Sequence, residues 1–358
     1  MASPLSFLRG LQPSSPDHSL GDTLAFALTS QNQTQNQIAT LLDCLPDSPR
    51  PALYDADPAR PPLDHASLRS FVQHFALPSS FSSSSSRSRL DANPKRNRLG
   101  PNTRVLLLLP TGPLNALALL AISAYHTCAP VNAACTPAEL REDAVRLGAR
   151  VLVTTLEDAR RLEVGRLEGV EVVVVKGREG GMAGLFDMCL YDGEDGEAKA
   201  PDASPPTTQL HSLTDQSLIL HTSGTSGKKK VVPYSLLSLI VGTCAVVESW
   251  DLREEDVNLN MMPLFHVGGI VRNLLAVSSD FIPSSTSSFS SNPTPTWQHL
   301  IHIMLQFTST SARPAFRRHP SDFDPTLHYI LACPFPSLPF LSVYFRAGTC
   351  ELVDLPAD

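Results

Sequence analysis

The chain has 358 residues, 42% of them hydrophobic and 18% charged, with a formal net charge of −7. That is enough apolar material for one large domain or two ordinary ones, and it excludes disorder along the whole chain. The acidic balance argues against a nucleic-acid partner, because phosphate contacts along a duplex need an excess of Lys and Arg.

Lysine is unevenly placed. Of 28 basic residues six are lysines (Lys95, Lys176, Lys199, Lys228, Lys229 and Lys230), half of them in one tripeptide with none beyond it. The seven cysteines form no C-x-x-C pair, so neither a disulfide framework nor a zinc ribbon is expected and a reducing compartment fits better. The longest apolar runs are too short to span a bilayer, and Met1–Gly10 lacks the apolar core of a secretory signal. A soluble, cytoplasmic protein is expected.

Taken in chain order, residues 1–36 are polar and turn-rich and read as a flexible arm. Order is expected from Gln37, with Ile38, Leu41 and Leu42 at helical spacing, then a strand at Pro51–Tyr54 and a helix near Ser67–Phe75. Residues 78–89, with seven serines from Ser79 to Ser86, read as a surface insertion. The basic cluster behind it (Arg87, Arg89, Lys95, Arg96, Arg98) has no interleaved aromatics and reads as a solvated loop.

From Arg104 the pattern turns α/β. Val105–Leu109 is a run of buried-strand length, Leu114–Tyr125 a buried helix, Ala129–Asn132 a short strand, and Pro137–Leu147 an amphipathic helix that Gly148 is placed to end. Strands follow at Val151–Thr154 and Val172–Val175, with Gly177–Gly184 a surface loop and Asp192–Pro206 an acidic, proline-rich connection. Then come a strand at Gln216–His221, a loop at Thr222–Lys230, a helix at Tyr234–Trp250 and a strand at Val257–Met262. Uniformly apolar strands alternating with helices predict a mostly parallel sheet covered on both faces.

The stretch Leu218-Ile-Leu-His-Thr-Ser-Gly-Thr-Ser-Gly-Lys-Lys-Lys-Val-Val232 carries the chemistry: an apolar strand runs into two glycines, four hydroxyl residues and three lysines. Glycines let the backbone approach a ligand, and successive N–H groups in such a turn form an anion-binding concavity. The hydroxyls of Thr222, Ser223, Thr225 and Ser226 suit phosphate oxygens or a hydrated Mg²⁺. The lysines supply a local positive field that the net charge lacks. This is not the G-x-x-x-x-G-K-[ST] loop, since two residues separate Gly224 from Gly227. A solvated lysine-rich hairpin turn is the competing reading, and it has no need of four hydroxyls around two glycines after a buried strand.

The loop resembles the phosphate-binding signature [ST]-S-G-[ST]-[ST]-G-x-P-K-G-V of adenylate-forming enzymes, the family of acyl-CoA synthetases, luciferases and peptide-synthetase adenylation domains. Thr222, Ser223, Gly224, Thr225, Ser226 and Gly227 match it in turn, and Lys230 falls on the family's lysine; Lys229 and Val231 stand where Pro and Gly are usual. The Lys-Lys-Lys-Val-Val-Pro-Tyr form is similar to a variant in fungal acyl-CoA-synthetase-like and peptide-synthetase-like proteins. Downstream, Asn258-Leu-Asn-Met-Met-Pro-Leu-Phe-His-Val-Gly-Gly-Ile270 resembles the family's Pro-x-[FY]-H-x-x-G motif, in which the residue at the place of His266 borders the acyl pocket. Leu109-Pro-Thr-Gly-Pro113 and Ala129-Pro-Val-Asn132 with Thr136-Pro-Ala-Glu-Leu140 are similar to its early core.

The resemblance implies an incomplete AMP-binding domain over residues 37–276, with mostly parallel sheets. It implies ATP-dependent activation of a small carboxylic acid as acyl-AMP, with Mg²⁺ and then coenzyme A or a phosphopantetheine thiol as acceptor, the latter bringing a carrier-protein partner. Lys230 and the Thr222–Gly227 loop would bind phosphates. Metal-ligating side chains are not expected; the His299/His302 pair has no acidic or Cys partner nearby. The family's later aromatic-Gly-x-[ST]-Glu stretch, ribose-binding Asp and final lysine have no counterpart here. Residues 277–358 are Ser/Pro-rich at first and lack a sustained period, and Val277-Ser278 is what GTGAGT, a common intron start, would encode; they read as a divergent tail and not a native domain. Catalysis is therefore expected to be impaired in this chain; a non-catalytic nucleotide-binding remnant and an interaction module using Arg87–Arg98 are the alternatives.

Overall fold

The computed structural model describes residues 38–78, 99–191, 209–222, 230–250, 252, 256–260, 262–278 and 343–345. The 1–36 arm, all but the first residue of the 78–89 insertion, the basic cluster, the acidic connection and the His299/His302 pair lie outside the described residues.

After a 3₁₀ turn at Leu41–Cys44, β1 (Pro51–Leu53) pairs antiparallel with β2 (Leu63–Asp64). Helix α1 (His65–Gln73) starts where the Asp64 side chain accepts the Ser67 N–H at 2.6 Å. β3 (Arg104–Leu108) then opens the main sheet. Helix α2 (Pro113–Tyr125) follows, with Pro at its first position, and β4 (Thr127–Pro130) returns parallel to β3. β4 begins two residues before the expected Ala129 because Thr127 already pairs with Arg104; Asn132 is free to accept the Ala134 N–H as a turn.

Helix α3 (Pro137–Leu147) has the expected bounds. A Thr136/Glu139 capping box opens it, and Gly148 closes it in the left-handed conformation at φ 57°. β5 (Val151–Thr154), α4 (Leu156–Arg161) and β6 (Glu171–Gly177) follow, α4 being capped by Thr155. β7 (Phe186–Leu190) forms a hairpin with β6 through the Gly177–Gly184 turn.

β8 (Gln216–Thr222) is succeeded by β9 (Lys230–Ser235), which departs from expectation. The sequence pattern runs the loop into a helix from Tyr234, but Lys230–Ser235 pairs antiparallel with β8 and helix α5 (Leu236–Ser249) starts after it. Val231, Val232 and Tyr234 suit a strand, and Pro233 is tolerated because β9 is an edge. A hairpin is therefore present, with residues 223–229 joining its strands outside the described residues. β10 (Val257–Leu259) is shorter than the expected Val257–Met262. A π-helical segment, Gly268–Leu275, runs into the short α6 (Ala276–Ser278), and β11 (Val343–Phe345), within the tail read as irregular, pairs antiparallel with β10.

The fold is α/β. The seven-stranded sheet has the order β7-β6-β5-β3-β4-β8-β9, with the five central strands parallel and an antiparallel hairpin strand at each edge. Alternate strand residues feed two cores. Val105, Leu107, Val151, Val153, Leu218 and Leu220 pack with α1, α2 and α5, whereas Leu106, Leu108, Leu152 and Ile219 pack with α3 and α4. Helix α2 is apolar nearly all round because it lies between the sheet and α1.

His126, between α2 and β4, is 1% exposed. Burial pushes its imidazole down to about 4, opposed by its bond to the Gly100 carbonyl and aided by His211. The unfolded chain therefore binds this proton below the ordinary 6.5 and the folded chain only below about 4. Stability is full above pH 6.5 and falls as pH drops from 6.5 toward 4, by roughly 2 kcal/mol at pH 5 from this group. Urea titrations at pH 7.5 and 5 should show that loss shrinking in His126→Asn; an unchanged pH difference would contradict it.

Candidate nucleotide site

The parallel strands carry their carboxyl ends to one edge of the sheet. β3 continues through α2 on one face to β4, and β4 continues through α3 on the opposite face to β5. The chain thus switches sides between β3 and β4, where open α/β sheets bind ligands. Three segments meet that edge: Leu109–Gly112 after β3, Val131–Thr136 after β4, and the end of β8. Asn115, in the first turn of α2, donates its Nδ2–H to the Leu109 carbonyl at 3.0 Å and fixes the first of these.

Of the expected phosphate-binding residues, Thr222 and Lys230 are the two described ends, and they are register partners across β8 and β9. Ser223, Gly224, Thr225, Ser226 and Gly227 lie outside the described residues. Lys230 is exposed.

His266 stands in the turn before the π-helical segment. Buried Leu264 anchors that turn, and the Phe265 and His266 rings lie 4.6 Å apart at centroid. Partial burial lowers the His266 imidazole below its ordinary value, which favours the neutral ring at neutral pH. Of the two glycines that follow, Gly269 is held by backbone, whereas Gly268 faces only the flexible end of Met262. A Cβ on Gly268 would meet Met262 Cε at 2.6 Å, and one on Gly269 would meet the Met262 carbonyl oxygen at 2.9 Å and the Pro263 carbonyl oxygen closer still. Asn260 Nδ2 donates to the Gly269 carbonyl (3.1 Å), and Asn273 Nδ2 to that of Gly268 (2.8 Å). Helix α5 packs against β8 and β9 and also against the π-helical segment, so one helix separates and links the hairpin and the His266 turn.

One pair escaped sequence reasoning. Asp143 on α3 is 2% exposed, and His221, the last residue before Thr222, holds its Nδ1 3.9 Å from Asp143 Oδ2. Arg146 Nη2 contacts Asp143 Oδ1. A buried carboxylate left unpaired would cost several kcal/mol, so the arginine is needed. The signal was present: Leu140, Asp143, Ala144 and Leu147 form the buried stripe of α3, and Asp143 is its one charged member.

Other chemistry is quiet. The five cysteines among the described residues are free thiols, and burial pushes Cys128 and Cys244 up to about 12, so neither is a thiolate nucleophile at neutral pH. Among the described residues no His/Cys/Asp/Glu group is arranged to hold a metal ion, and no helix is long and apolar enough to cross a membrane.

The profile of a family described as AMP-binding enzyme matches residues 95–280. The chain belongs to that family. Within it, 4-coumarate–CoA ligase 5 of Oryza sativa subsp. japonica is 32% identical over 170 residues, which is 46% of this chain and 29% of the ligase. 2-Succinylbenzoate–CoA ligase of Staphylococcus aureus (strain bovine RF122 / ET3-1) is 26% identical over 186 residues, 49% of this chain and 37% of its own. Among solved structures, apo MatB from Rhodopseudomonas palustris superposes with a TM-score of 0.39 at 21% identity, over 50% of this chain and 34% of MatB. This AMP-binding chain thus spans about a third of the length of the ligases it matches.

The glycine contacts make the His266 turn testable. Gly269→Ala must displace the Pro263 carbonyl, at an expected cost of about 1–3 kcal/mol in chemical denaturation. Gly165→Ala, where a Cβ meets nothing within 4 Å, serves as the control and should stay within about 0.5 kcal/mol.

Proposed function

We propose that this AMP-binding chain binds ATP at the carboxyl edge of its sheet and belongs to the machinery that activates a small carboxylic acid as acyl-AMP. The observation that carries the reading is the Thr222–Lys230 pair at the loop end of the β8–β9 hairpin, which brackets in sequence a run of glycines, hydroxyls and lysines. In the reaction a carboxylate oxygen attacks the α-phosphorus of ATP. The new P–O bond gives acyl-AMP, and the bond to the bridging oxygen breaks to release pyrophosphate. Coenzyme A or a carrier-bound phosphopantetheine thiol is the acceptor for the following transfer.

The protein's part is positioning and neutralisation of charge. Lys230 and the Thr222–Gly227 loop would hold the β- and γ-phosphates. Mg²⁺ would accompany the nucleotide, held mainly by its phosphates. His266 would border the acyl group, and a neutral ring there avoids an ion pair that would trap the carboxylate.

A second reading is a nucleotide-binding remnant without catalysis, in keeping with Lys229 and Val231 standing where the phosphate loop usually has Pro and Gly. ATP–pyrophosphate exchange over a panel of carboxylates, with equilibrium ATP binding alongside, separates the two. Exchange that vanishes in Lys230→Ala supports the enzyme, and ATP binding without exchange supports the remnant. Either way Lys230→Ala should weaken ATP about 10–100-fold, the size of one charge-assisted hydrogen bond. A folded chain that binds no ATP overturns both.

A further inference from the structure

The backbone of His266 is tied to the chain on both sides of it. Its N–H donates to the Pro263 carbonyl at 3.1 Å, and its carbonyl accepts the Ile270 N–H at 3.2 Å. Gly268–Leu275 then adopts the π pattern, in which an N–H reaches the carbonyl five residues back, as the Ala276 N–H does to that of Val271. A π segment of this length is uncommon and needs a local cause. Two side-chain amides provide one. Asn273, the one polar residue among the buried positions of the segment, donates its Nδ2–H to the Gly268 carbonyl at 2.8 Å. In an α-helix a side chain reaches back three or four residues, so a bond across five fits while Asn273 stands over Gly268 in the wider turn. Asn260, directly after β10, closes the turn from the other side. Its Oδ1 accepts the Met262 N–H at 2.9 Å, and its Nδ2 donates to the Gly269 carbonyl at 3.1 Å. A leucine at position 273 would serve packing alone, whereas a buried amide is costly unless it is bonded.

We propose that Asn273, together with Asn260, is a positioning residue for His266: the two amides hold the segment in π register and so set where the imidazole stands beside the carboxylate substrate. Return to α register changes the pairing by one residue, a rotation of about 100° and a shift of about 1.5 Å for the chain leading into it. His266, bonded to Ile270 on one side and Pro263 on the other, moves with that chain. The role toward substrate rests on the acyl-activation reading above. Both asparagines act through the backbone of the His266 turn and not by contact with the substrate.

The test compares the full wild-type chain with Asn273→Leu, of similar volume, and Asn260→Ala, by NMR and by ATP–pyrophosphate exchange. In the wild type a through-hydrogen-bond coupling should join the Asn273 backbone N–H to the Gly268 carbonyl carbon, a measurement that needs no variant. In Asn273→Leu that carbonyl should couple to the Arg272 N–H instead, and the His266 ring resonances should move. The KM for the most active carboxylate of the exchange panel should rise about tenfold while the KM for ATP stays within about twofold, a split that general destabilisation does not produce. Asn260→Ala should shift both readouts in the same direction, and it serves alone if Asn273→Leu does not fold. Coupling of Gly268 to Arg272 in the wild type, an unmoved His266 ring in a folded variant, or an equal rise in both KM values would each overturn the proposal. A wild type that exchanges with no carboxylate overturns the acyl-activation reading and this inference with it; normal wild-type exchange with unaltered variants sinks the inference alone.

Discussion

Burial of five parallel strands on both faces is the constraint from which the rest of the molecule follows. Leu106 and Leu107 are neighbours in sequence, yet they enter different cores, so the middle of each strand must be apolar on both sides and each face must be roofed by helices. Parallel pairing in turn forbids tight turns between successive strands and sends the chain through α2, α3 and α4. One consequence is chemical. All the carboxyl ends lie along a single edge, and the reversal of direction between β3 and β4 leaves that edge open where polar loops can gather.

The hairpin strands at the two ends of the sheet solve a different problem. An edge exposes unpaired backbone groups, and β7 and β9 are each joined to the parallel block by a single antiparallel partner. β9 contains Pro233, which cannot donate to a further strand. The hairpin at that edge also brings Thr222 and Lys230 opposite one another, so a device that closes the sheet presents the glycine-rich run between two registered ends. Helix α5 carries the same geometry onward: it packs on the hairpin and approaches the π-helical segment so closely that a Cβ at Gly242 would sit 3.4 Å from Val271.

Buried polar groups are concentrated where elements join. His126 and His211 are bonded to backbone carbonyls around the start of β3 and the end of α2, and Asn115 ties the loop after β3 to the helix that follows. Asp143 is the exception in kind: a carboxylate within an apolar stripe, kept there by Arg146 and facing His221. Hydrophobic packing would be served by a leucine at that position, and a charge there constrains neighbouring residues far more than a leucine would.

Much was legible from the sequence. Helix α3 could be bounded to the residue because Thr136, Glu139 and Gly148 satisfy helix ends by local hydrogen bonds, and β5 because its run is short and flanked by turns. The glycine–hydroxyl–lysine run stood out because phosphate chemistry needs those residue types close together in the chain, and the family followed from it. Strand β9, the order of the sheet and the Asp143–His221 pair were decided only by tertiary structure. Val231 and Tyr234 become strand residues because β8 offers an unpaired edge, a fact 8 or more residues away in the pairing and absent from local periodicity. Asp143 and His221 are separated by one strand, a helix and a hairpin in sequence, and they meet only because parallel crossovers lay α3 beneath the end of β8. Local propensity and spacing act over a few residues, whereas the meeting of two side chains across a sheet depends on how the whole core is buried.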